Sequence, residues 1–118
     1  SKPYGVGIVL GPKTAEYVQD TYQTIELDLI AVKGKTEPAR IYTVLEKKDA
    51  AAEKAHNRFL EHYRAGRWDR AAAMSTEMGD RIFGGALANY YKMMEQRIDE
   101  LQRNEPPAWD GIFRATSK

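Results

Sequence analysis

The feature that most constrains this chain is a change of composition near Lys47. Up to that point Gly, Val, Ile, Leu and Thr are frequent; beyond it there is no valine, and Ala, Arg, Glu, Met and Tyr dominate. Side chains branched at Cβ suit a pleated, half-buried surface, whereas Ala and unbranched chains lose little freedom in a helix. The change therefore reads as a β-rich piece over residues 1–46 followed by a helical piece over 47–118, an α+β chain. Its 118 residues are one domain's worth, or one part of a larger domain.

Within the first piece, Val6 to Leu10 reads as a short buried strand ended by Gly11-Pro12. Lys13 to Asp20 fits a short helix with Ala15 and Val18 inward and Pro12 tolerated at its start. Thr24 to Val32 is the clearest strand, with Ile25, Leu27 and Leu29 alternating against Glu26, Asp28 and Ile30. Arg40 to Leu45 is the next. The stretch Lys33-Gly34-Lys35-Thr36-Glu37-Pro38 between them is turn chemistry, so these two strands should pair as an antiparallel hairpin.

From Asp49 the period becomes helical. Ala52, Ala55, Phe59 and Tyr63, with Ala51 and His62 alongside, form one face of a helix that should end at Gly66. A second helix runs from Trp68 to about Met78. Leu87, Tyr90, Tyr91, Met94, Ile98 and Leu101 then step by three or four, the stripe of a long amphipathic helix stopped by Asn104-Glu105-Pro106-Pro107. The apolar tail Trp109 to Phe113 should pack back onto these helices.

Composition removes several function classes. With no cysteine there is no disulfide scaffold, thiolate metal site or cysteine nucleophile. Charge is balanced, 18 basic against 17 acidic residues, and neither part carries a basic stripe that would suit nucleic acid. No apolar run approaches the ~20 residues of a membrane helix. The first residue is Ser1 and the pattern starts abruptly at Lys2-Pro3-Tyr4-Gly5, as expected of a piece of a longer protein.

Two stretches imitate phosphate-binding signatures and fail. Gly5-Val6-Gly7 lacks the third glycine of a dinucleotide fingerprint, because position 10 is Leu10. Gly34-Lys35-Thr36 lacks the first glycine of a P-loop, because position 29 is Leu29, and Pro38 prevents a helix from opening directly after it. His56 and His62 are six apart, on different faces of a helix, and cannot share a metal. Glu26 and Asp28 share one strand face, which reads as solvated. No metal pair or acid/base dyad emerges. Tyr63 to Ala72 has the aromatic, Gly turn and small alanines of half a tetratricopeptide unit, but a single repeat reads as a helical hairpin covering something. The Tyr/Met stripe reads as core or as a face for a helical partner.

The segment Thr24 to Tyr42, with Val32-Lys33-Gly34-Lys35 at its turn, resembles the last hairpin of the class III adenylyl/guanylyl cyclase catalytic domain in its bacterial form. Lys2 to Gly5, Gly7 to Leu10 and Thr14-Ala15 are similar to the preceding helix end, strand and helix. The helical remainder resembles the C-terminal extension of bacterial cyclases with a membrane-bound sensory region, in Phe59, Tyr63 to Gly66, Trp68 and Pro106 to Phe113.

The resemblance implies a partial ferredoxin-like piece (strand, helix, strand, strand) followed by about three helices. Outside its full sheet such a piece would leave a strand edge open. The parent would convert ATP to cyclic AMP and pyrophosphate in signal transduction, with two divalent metals and a catalytic homodimer. ATP over GTP rests on the bacterial look of the hairpin and tail. The family's metal-binding aspartates, base-selecting residues and transition-state Asn and Arg match nothing from Ser1 onward, so no catalytic or metal residue is expected in this chain and it should be inactive alone. Lys33 matches the lysine that reaches the nucleotide triphosphate across the dimer interface, and Lys35 is a second candidate for the phosphates. A cytoplasmic location follows from the same resemblance, with any membrane anchor of the parent upstream. The alternative is a helical interaction, dimerisation or regulatory module, with a protein partner on the extension.

Overall fold

A computed structural model describes residues 2–114, the side chain of Lys2 apart. It is a mixed helix and sheet structure: a two-stranded antiparallel hairpin and four α-helices. Helix α1 spans Pro12–Val18, strand β1 Gln23–Ile30, strand β2 Ala39–Leu45, and helices α2, α3 and α4 span Ala50–Arg64, Trp68–Met78 and Ala88–Arg103. Short 3₁₀ turns occupy Lys2–Tyr4 and Ile82–Gly85.

The hairpin forms where alternation predicts it, but its ladder is interrupted. Glu26 pairs with Tyr42, whereas Asp28 pairs with the adjacent Ile41. One extra residue on β1 makes a β-bulge, which turns Leu27 and Asp28 together toward the interior. Asp28 is therefore completely buried, not on a solvated face.

The expected strand over Val6–Leu10 does not form. Only Leu10 pairs, exchanging both backbone hydrogen bonds with Tyr42 at 2.7 and 2.8 Å, while Gly7 and Ile8 remain exposed. Only the edge of β2 lies beside this run, and it touches that edge through one residue. A strand–helix–strand–strand unit is thus reduced to a helix and a hairpin, and no ferredoxin-like sheet is present among the described residues.

The helices follow their sequence signals closely. Asp49 caps α2 by accepting from the Ala52 amide at 3.0 Å. The inner face of α2 is Ala52, His56, Phe59, Leu60 and Tyr63. His56 rather than His62 faces the core, and Ala51 is exposed. α2 and α3 pack as a helical hairpin, and α4 buries Tyr90, Tyr91, Met94 and Ile98. Hairpin and helices share one core, because Ile25 and Leu27 of β1 join Phe59, Tyr63, Tyr90, Tyr91 and Met94 in a continuous cluster. Phe59 and Tyr91 meet edge to face at 5.5 Å, a geometry that favours aromatic quadrupoles.

Two side chains take the carbonyls at the bulge. Tyr90 donates its hydroxyl to the Leu27 carbonyl at 2.6 Å. His56 Nε2 lies 2.6 Å from the Glu26 carbonyl, which can only accept, so the proton sits on Nε2. Nδ1 is then the acceptor for the Tyr91 hydroxyl, also at 2.6 Å. Burial pushes the His56 pKa down to about 4 from the ordinary 6.5.

Between those two values a proton binds His56 only in the unfolded chain, so folding stability is lost as pH falls from about 6.5 through about 4. The expected loss is about 3 kcal/mol at the acid end. Urea unfolding across this pH range checks it. His56→Leu should remove that part of the slope and cost about 2 kcal/mol at pH 7, because two buried groups lose their partner.

Candidate functional site

The hairpin tip places both lysines that the sequence singles out. Strand pairing ends at Ile30 with Ala39, and a tight turn follows in which the Lys35 amide donates to the Val32 carbonyl at 3.0 Å. Gly34 occupies the third turn position with φ +84°, a backbone that only glycine adopts without strain. Lys33 and Lys35 flank it, both exposed. Among the described residues neither forms a salt bridge. The tip thus offers two mobile ammonium groups on a fixed turn, suited to an anion approaching from outside the chain.

The acids of β1 belong to a different assembly. Asp28 Oδ2 accepts from Arg97 Nη1 at 2.8 Å and from the Tyr4 hydroxyl at 2.9 Å; its Oδ1 accepts from the Leu29 amide at 2.9 Å. Arg97 Nη1 also donates to the Tyr63 hydroxyl at 3.2 Å, and its guanidinium lies 3.6 Å over the Phe113 ring. Burial alone would lower the Arg97 pKa, but Tyr63 and Asp28 beside it more than reverse this and hold it above its ordinary value. Burial raises the Tyr63 hydroxyl to about 12.

Glu26 Oε2 accepts from Arg40 at 2.5 Å and from Arg64 at 2.7 Å at the margin of the core. These donor sets leave both carboxylates occupied by cations, so neither fits a divalent metal or a general base. Among the described residues no three His, Asp or Glu cluster as metal ligands.

Asp28 and Arg97 were missed as a pair when the sequence was read by alternation. The bulge that turns Asp28 inward leaves no mark in strand alternation. Arg97 did leave one: it falls within the stripe of α4, three residues after Met94 and four before Leu101, where a cation needs a buried anion.

A cleft of about 400 Å³ opens beside Arg97, lined by Leu101, Trp109, Ile112, Phe113 and Arg114 among others. Lys33 and Lys35 do not line it. The described helices include none long and apolar enough to cross a membrane. Compared with family models, curated proteins and solved structures, the chain finds no match in any of the three.

The two acids of β1 should differ sharply in worth. Asp28→Ala should cost about 3–5 kcal/mol, because it strands a largely buried guanidinium. Glu26→Ala should cost about 1 kcal/mol or less, since its partners reach solvent. Denaturant unfolding of the two variants checks the contrast.

Proposed function

We propose that this chain is the C-terminal part of a bacterial class III nucleotide cyclase whose parent converts ATP to cyclic AMP and pyrophosphate. In this reading the hairpin tip delivers Lys33, with Lys35 beside it, to the triphosphate bound across a catalytic homodimer. The observation that carries it is the turn itself: two exposed lysines without salt bridges, flanking a glycine at φ +84° on a hairpin braced by helices. An ammonium held there would neutralise charge building on the pyrophosphate leaving group.

Two divalent metals would come with residues of the parent outside this chain, because Glu26 and Asp28 are already bound by arginines. The chain alone would turn over no nucleotide. Ile8, Tyr17 and Tyr22 stand exposed near the start, as surface that further strands of a cyclase sheet would cover. The Tyr/Met stripe of α4 is spent in the core, so a protein partner on the extension would need another face. A cytoplasmic location belongs to the same proposal.

The test is cyclic nucleotide formation from ATP and GTP, with Mg²⁺ or Mn²⁺, by the natural protein carrying the whole catalytic domain. Cyclic AMP is expected, with Lys33→Ala reducing it on the order of 100-fold. The same substitution should change stability by less than about 0.5 kcal/mol, as for an exposed lysine. A folded, dimeric protein that makes no cyclic nucleotide would contradict the reading.

A further inference from the structure

The hairpin's own ladder stops at Ile30, three residues before Lys33. The next backbone anchor comes from the far end of the chain. Phe113 lies parallel beside β1: its amide donates to the Leu29 carbonyl at 2.9 Å, and its carbonyl accepts from the Ala31 amide at 3.0 Å. Ala31 is thus held two residues before Lys33 by the C-terminal segment, not by β2.

That segment is itself fixed at several points. The Trp109 ring packs at 5.5 Å from Tyr63 and 5.4 Å from Trp68, and its indole N–H donates to the Tyr63 carbonyl at 3.3 Å. Gly111 is buried at φ +86°, and an added Cβ would stand 3.2 Å from Cβ of Arg64. Arg97, already bound to Asp28, covers the Phe113 ring.

We infer that Trp109–Phe113 is a positioning strap for Lys33: the helical extension sets the place from which the lysine reaches an anionic nucleotide phosphate. This rests on the cyclase reading of the hairpin. Phe113 and Arg97 touch no nucleotide in this account. They act through the backbone at Ala31.

Closing an open strand edge would by itself explain a strap. The two roles separate in a double-mutant cycle on the natural protein with ATP as substrate. Phe113→Pro removes the amide that bonds Leu29, whereas Phe113→Leu keeps it. If the strap positions Lys33, Phe113→Pro should lower kcat/KM on the order of tenfold, within the ~100-fold that an ångström of misplacement can cost.

Phe113→Leu should recover most of that loss. In a Lys33→Ala background, Phe113→Pro should cost nothing further. Should Phe113→Pro lose its cooperative thermal transition, Gly111→Ala carries the same cycle. Full activity in the strap variants, or losses that multiply with that of Lys33→Ala, overturns the inference and leaves the cyclase reading standing. A wild-type protein without cyclic nucleotide product overturns both.

Discussion

The carboxylate of Asp28 has no exposure to solvent, and an uncompensated charge in such a place costs several kcal/mol. Much of the structure can be read as its compensation. The bulge in β1 turns the side chain inward. The 3₁₀ turn at Lys2–Tyr4 brings a hydroxyl, α4 brings a guanidinium, and α2 brings Tyr63 to hold that guanidinium in place. Phe113 then lies under the outer face of the same arginine. Elements from both ends of the chain and from its middle therefore meet at one ion pair. An apolar core would hold helices against a sheet in several registers; a carboxylate that must meet one guanidinium admits fewer.

Much of the fold was legible from residue spacing. The four-three-four steps from Ala52 through His56 and Phe59 to Tyr63 mark the inner face of α2, and the stripe from Leu87 to Leu101 marks α4. The Gly- and Pro-containing stretch between two alternating runs marks the hairpin. Val6–Leu10 was misread because an apolar run becomes a strand only when a neighbouring backbone pairs along it, and sequence does not show that neighbour. Asp28 was misread because one inserted residue reverses the facing of everything after it. The exposure of Lys33 and Lys35 followed from turn chemistry alone, whereas their proposed role rests on the resemblance to cyclases.

The same arrangement separates two tasks. Charges of the core are paired internally: Asp28 with Arg97, and Glu26 with Arg40 and Arg64. The lysines of the tip are left to solvent. The helices hold the strand that precedes the tip, through Tyr90 and His56 at the bulge and through the C-terminal segment at Ala31. A hairpin braced in this way can carry a mobile cation on a fixed base. That is the physical content of reading the helical part as support for the hairpin.

The most direct test of this account is the coupling between Asp28 and Arg97, measured by urea unfolding of Asp28→Asn, Arg97→Met and the double variant. If the ion pair ties the extension to the hairpin, the double variant should be more stable than the sum of the single losses allows, by more than about 1 kcal/mol. Strictly additive losses would contradict the account, since the two side chains would then stabilise the fold independently.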